Sequence, residues 1–316
     1  MEVSPIFWVI FSIIIIVMLA LDLGVFNKKS HEIKVKEALT WVGVWVSLAM
    51  IFNLIVLTKF GKTKALEFLT AYVIEYSLSI DNIFVFIMVF SFFGVKREYQ
   101  HKVLFWGILG AVVMRAVFIF AGVALINRFH WIVLIFGAFL IFTGLKMLFQ
   151  REEAKVDPEK NGLVRLFRKF LPVTDQFHGD SFFIRKDRKT YATPLFIVLL
   201  IIESTDLIFA VDSIPAVLAI SKDTFIVFTS NIFAILGLRS LYFAVSGIMG
   251  LFRFLKIGLA IVLTFVGLKM LAAYFHFEIP VTLSLSVIVS ILLLSILASV
   301  IIKKDDSPSD IVKQDN

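Results

Sequence analysis

Cysteine is absent from this 316-residue chain. Disulfides, thiolate zinc centres, iron–sulfur clusters and cysteine nucleophiles are thereby excluded together, leaving oxygen ligands and 5 His for any site chemistry. Charge is scarce as well. Asp, Glu, Lys and Arg make up 17% of the residues, against about 25% in soluble domains, while 59% are hydrophobic and the mean hydropathy is +0.95. The 16 Gly and 7 Pro follow no period, so neither a collagen-like nor a low-complexity chain fits. No Walker loop, dinucleotide fingerprint or nucleophile elbow is present, and no enzymatic activity is expected. Water cannot be the main solvent of such a chain. The composition describes an all-α, polytopic membrane protein.

Nine stretches are apolar for the roughly 20 residues that a hydrocarbon core requires: about 6–26, 38–58, 66–94, 101–126, 131–149, 194–220, 225–249, 256–275 and 279–302. The net charge of +7 lies mostly in the loops between them, so it calls for no nucleic acid. With the N-terminus outside, 22 basic residues fall on the cytoplasmic side and 5 on the other, and the positive-inside rule then places the C-terminus in the cytoplasm. The first stretch lacks a basic start and a small-residue cleavage site, so it is expected to remain as a span. The basic loop 150–191 is broken up by Pro158, Gly162, Pro172 and Gly179, with an amphipathic surface helix as one option near Leu163 to Leu171. The tail after Lys303 is expected to be disordered.

An internal repeat organises the middle of the chain. EYSLSIDNIFVF from Glu75 corresponds to DLIFAVDSIPAV from Asp206, the stretch around Arg115 to that around Arg239, and GLKML recurs at Gly144 and Gly267. Three correspondences in one order define a three-span unit, present as spans 3–5 and again as spans 6–8. An odd number of crossings inverts the second copy, as in secondary transporters whose sites lie near the midplane. The expected segments are therefore 1–65 with two spans and a basic loop, 66–149 as repeat 1, 150–191 as cytoplasmic loop, 192–275 as repeat 2, and 276–316 as last span and tail.

Carboxylates within the spans are the candidate site. Asp22, Glu75, Asp81, Glu203, Asp206 and Asp212 each cost about 2.5–3.5 kcal/mol at the centre of a helix, against two well-embedded bases, Arg115 and Arg239. The surplus of acid calls for cations or protons. Asn82 and Ser213 extend the ligand set, whereas Asp22, Arg115 and Arg239 are read as secondary or structural, and ion pairing of acids with the arginines is the competing explanation. Asn53 and Asn231 are expected to bond between helices. Pro215 frees the carbonyl of Val211. Because the acids of each repeat are separated by about 9 Å along a helix, local unwinding is predicted at Asp81 and Asp212.

Oxygen ligands suit hard ions such as Mg²⁺, Ca²⁺ or Mn²⁺, and the five His at 31, 101, 130, 178 and 276 sit in or beside loops, which disfavours a midplane zinc site. The motifs EYSLSIDN at Glu75, IESTDLIFAVDSIPAVLAI at Ile202 and LDLGVFNKKSHEIKVKEALTW at Leu21 resemble the TerC/Alx family of bacterial membrane proteins across about Asp22 to Lys303. The resemblance implies a fold related to the lysine-exporter superfamily and, for the Alx-like members, export of Mn²⁺. Its acidic motif positions fall on Glu75, Asp81, Asn82, Glu203, Asp206, Asp212 and Ser213. Links of the family to tellurite resistance and thylakoid assembly keep a second function open.

The expectation is thus a secondary transporter of the bacterial inner membrane. A hard divalent cation, Mn²⁺ by the resemblance, is its substrate; no tightly bound cofactor is expected, and protons are the candidate counter-ion. The alternative is a membrane-assembly or tellurite-resistance module in which the buried acids are structural and the 150–191 loop docks partners. Oligomeric state is left open.

Overall fold

The computed structural model describes residues 4–24, 35–129, 131–149, 172–174, 176–186, 189–246, 254–277 and 279–302. Ten helices and one hairpin follow in order: α1 (Pro5–Gly24), α2 (Val35–Phe60), α3 (Lys62–Phe92), α4 (Arg97–Arg128), α5 (Ile132–Phe149), β1 (Phe183–Lys186), β2 (Lys189–Ala192), α6 (Pro194–Leu218), α7 (Thr224–Leu236), α8 (Leu238–Ser246), α9 (Leu255–Tyr274) and α10 (Val281–Ile301). Among the described residues, seven helices are long and apolar enough to cross a membrane, and the α7–α8 pair makes eight if counted as one bent span. The apolar part of α1, Pro5–Leu19, is shorter. Each of the nine apolar stretches is helical over most of its described residues, but nine crossings are not established by length.

Helices solve the backbone problem in hydrocarbon, because each N–H finds a carbonyl within its own segment. The hydroxyls in the spans follow the same logic. Ser77 donates to the Val73 carbonyl at 2.6 Å, Thr70 to Leu66 at 2.7 Å and Thr264 to Ala260 at 2.9 Å, so polar side chains are satisfied inside their own helix. Asp223 starts α7 by accepting from the backbone N–H groups of Phe225 at 3.1 Å and Ile226 at 3.4 Å. Tight joints need glycine in the left-handed region, and Gly61 (φ 88°) between α2 and α3 supplies it.

The helix pairing is compatible with the repeat. α3 packs on α7 while α6 packs on α4, and the corresponding pairs α3/α6 and α5/α9 meet each other. The α5/α9 contact is close enough for backbones to touch. A Cβ on Gly267 would lie 2.7 Å from the Gly137 carbonyl oxygen, and one on Gly144 would lie 2.7 Å from that of Ala260. Small residues at matched positions permit such an approach in lipid, where dispersion and close packing replace the hydrophobic drive. Side chains pointing outward, such as Ile16, Val117, Phe142 and Leu294, are exposed and apolar, as lipid contact demands.

Two expectations are corrected here. α3 and α6 run through Asp81 and Asp212 without unwinding. Pro215 lies in the last turn of α6, so the helix loses one hydrogen bond near its end rather than breaking in the middle. The break falls instead at Gly237, where α7 and α8 meet at 42°. Trp45 of α2 lies 3.3 Å from where a Cβ of Gly237 would stand, so glycine lets α2 close on the bend. The second correction concerns the loop 150–191. Its end forms the antiparallel hairpin β1–β2, with Phe183 opposite Ala192 and Ile184 opposite Tyr191, where only breakers and charge were apparent. The amphipathic helix near 163–171 and the tail after Lys303 lie outside the described residues.

Candidate ion-binding site

Arg115 of α4 is completely buried and organises the interior. Its Nη1 forms an ion pair with Glu75 of α3 and donates to Asn231 Oδ1 of α7 at 3.4 Å and Ser213 Oγ of α6 at 3.5 Å. Its Nη2 donates to Asp206 Oδ1 of α6 at 3.3 Å. Asn231 in turn donates to Glu75 Oε2 at 2.9 Å, and Asn82 of α3 donates to Asp206 Oδ1 at 3.4 Å. One guanidinium therefore serves the matching acid of both repeats. The pairing explanation weighed from the sequence holds for this half of the site.

Polar contacts along α3 and α6 rise in one helix as they fall in the other. Ser221 Oγ donates to Glu67 Oε2 at 2.5 Å, Ser213 shares Arg115 with Glu75, and Asp206 accepts from Asn82. α3 and α6 are antiparallel, which is compatible with an inverted repeat.

Beside this network is a cavity of about 40 Å³ between α3, α5, α6 and α9, lined among others by Glu75, Asp81, Asn82, Asp212 and Ser213. Asp81 and Asp212 make no ion pair with any described residue, and Thr143 of α5 donates to Asp212 Oδ1 at 3.3 Å. A polar space of this size has room for ordered water or a partly dehydrated cation. The walls offer carboxylate, amide and hydroxyl oxygen, the donor set of a hard ion. Among the described residues, no three His, Asp or Glu side chains converge closely enough to hold a metal ion outright. Arg115 engages two of the acids that would complete such a set.

The remaining candidates separate. Glu203 is not part of the cavity lining. It faces α4, where a Cβ on Gly110 would overlap its carboxyl group. Arg239 is buried just beyond the bend, in α8, and Pro215 is buried at the end of α6. The side chain of Asp22 lies outside the described residues. Sequence reasoning overlooked Thr143, a hydroxyl one residue before the Gly144 of the repeated GLKML. It also passed over Glu67, a buried acid that accepts from Lys64 at 2.8 Å and from Ser221, and Lys269, a further embedded base at 6% exposure in α9. The charge of Glu67 and Lys269 was the available signal; their nearness to span ends masked it.

A multi-pass α-helical membrane protein with buried acids between its helices is the class these features define. Residues 60–307 match the family model for integral membrane protein TerC, and the chain belongs to the TerC family. An uncharacterized membrane protein of Myxococcus xanthus, STKORF319, is 51% identical over 97% of this chain and 96% of its own length. A protein of Escherichia coli K12 described as a candidate membrane-bound redox modulator, Alx, is 45% identical over 92% of this chain and 93% of its own. A Rickettsia bellii membrane protein is 42% identical over 94% of this chain and 97% of its own. No solved structure matches the chain.

Proposed function

We propose that this TerC-family protein is a secondary transporter that exports a hard divalent cation, with Mn²⁺ the best fit, from the bacterial cytoplasm across the inner membrane. The observation that carries the reading is the small oxygen-lined cavity between α3, α5, α6 and α9, with Asp81 and Asp212 on its walls while Arg115 pairs with Glu75 and Asp206 instead. The cation exchanges part of its hydration shell for these carboxylates, helped by Asn82, Ser213 and Thr143. Rocking of one repeat against the other then moves access from one side to the other. The N-terminus lies outside and the C-terminus in the cytoplasm, as the distribution of basic residues argues.

Moving a dication out against 100 mV, inside negative, costs about 4.6 kcal/mol, twice the single-charge figure. Inward movement of protons is the proposed drive. The redox role carried by the relatives' name has no thiol to act through in this chain, which has 0 Cys. The test is growth and cell manganese content of strains carrying Asp81→Asn or Asp212→Asn under Mn²⁺ excess. Loss of tolerance with raised manganese is expected, and unchanged tolerance and content in both strains defeats the reading.

A second reading, an assembly or tellurite-resistance module, draws support from the Arg115 network, in which Glu75 and Asp206 act as structural ions. It expects deletion within 150–191 to abolish activity while both acid-to-amide changes spare it.

A further inference from the structure

Glu203 is a carboxyl group in the middle of α6 that neither the cavity nor the arginine network uses. It makes no hydrogen bond or ion pair with a described residue. The ionisable groups on the helices packed around it include Arg115 on α4, Glu75 and Asp81 on α3, Lys146 on α5, and Lys256 and Lys269 on α9, while on α6 itself Asp206, one turn away, acts on it as a like charge and Asp212 lies further along. Its seat is nonetheless shaped for it. Gly110 of α4 lies against the carboxyl group, and the smallest side chain there would overlap it. An unpaired negative charge is expensive at this depth, and a bound proton removes the cost without a partner.

We propose that Glu203 is a dedicated proton-binding site, separate from the metal cavity and coupled to it through Arg115. Asp206, one turn further along α6, accepts from Arg115 Nη2, and Arg115 stands five residues, about 7.5 Å of rise, beyond Gly110 on α4. Arg115 Nε is buried without a hydrogen-bond partner. When Glu203 releases its proton to water, its negative charge acts on Asp206, one turn away on the same helix, and so draws the guanidinium that Asp206 shares with Glu75 toward Asp206. Glu75, which lines the cavity, is then freer to take a cation. Reprotonation of Glu203 returns Arg115 to Glu75 and displaces the cation. The proton and the metal thus never share a carboxylate, yet binding of one disfavours the other. The coupling step rests on the transport reading; the proton site does not.

The experiment uses the full chain with Mn²⁺ as probe. Infrared difference spectra across a pH change should show the carbonyl band of a protonated carboxyl group, lost in Glu203→Gln and shifted in Gly110→Ala, which leaves every ionisable group in place. In proteoliposomes, Glu203→Gln should retain Mn²⁺/Mn²⁺ exchange and lose the acceleration by a pH gradient. A band unchanged in both variants, or a gradient response in Glu203→Gln equal to that of the parent protein, overturns the proposal. If Glu203→Gln does not fold, the Gly110→Ala spectrum decides alone. Band loss in a protein that carries no Mn²⁺ upholds the proton site and defeats the transport reading instead.

Discussion

Replacing Arg115 by methionine keeps roughly the length and apolar stem of the side chain but removes its charge and all donors. The structure fixes what is lost: the ion pair with Glu75 and the bonds to Asp206 at 3.3 Å, Asn231 at 3.4 Å and Ser213 at 3.5 Å, all in a site where the arginine is completely buried. Two carboxylates then share the interior without a counter-charge. Breaking a buried pair by removing one partner costs about 3–5 kcal/mol, because the surviving charge stays desolvated. A value near 4 kcal/mol is roughly a thousandfold in the ratio of folded to unfolded protein. Reversible unfolding of the purified protein in mixed micelles, titrated with SDS, measures this directly. The triple variant Arg115→Met, Glu75→Gln, Asp206→Asn removes the stranded charges as well and should recover most of the loss, since a buried ion network replaced as a whole is often neutral. A cost below about 1 kcal/mol for Arg115→Met, or a triple variant no more stable than the single one, would refute the account of Arg115 as the shared counter-charge of both repeats.

Gly267→Ala places a Cβ 2.7 Å from the Gly137 carbonyl oxygen and should destabilise by about 1–3 kcal/mol in the same titration, whereas Gly43→Ala, with nothing within 4 Å, should be neutral or stabilise by up to about 1 kcal/mol. Equal effects at the two sites would contradict the close α5/α9 contact. Asp223→Ala removes the cap of α7 and should cost about 0.5–2 kcal/mol in unfolding free energy, while Asp223→Asn keeps most of it. If the two variants are equally unstable, the ion pair of Asp223 with Lys64 at 3.6 Å matters more than the cap.

The acids of the candidate site were legible because a carboxylate inside an apolar run is conspicuous, and the repeat assigned them partners: Glu75 with Asp206, Asp81 with Asp212. What each acid does was not legible. Glu75, Asp81, Asn82, Asp212 and Ser213 come together at one cavity, but Glu203, in the same motif, faces the other side of α6 toward Gly110. Spacing along a helix fixes an angle about its axis, yet which neighbour occupies that angle depends on how helices distant in sequence pack. The predicted unwinding at the two Asp residues failed for a related reason. It assumed that the acids of one helix can reach a common guest only if that helix unwinds, whereas the cavity is elongated enough for Glu75 and Asp81 of an unbroken α3 to line it together with Asp212 of α6.

Hydropathy was sufficient to determine that this chain lives in a membrane and is helical, and the recurring motif was sufficient to single out its embedded acids. Each of these follows from local energetics: lipid solvates only apolar side chains, and an isolated segment must bond its own backbone. Tertiary structure alone decided that one arginine holds an acid from each repeat, that the bend falls at Gly237 rather than at Pro215, and that Thr143 joins Asp212. Those outcomes depend on residues 40 to 91 positions apart in the chain meeting across helix interfaces, and only the packed bundle sets which of them touch.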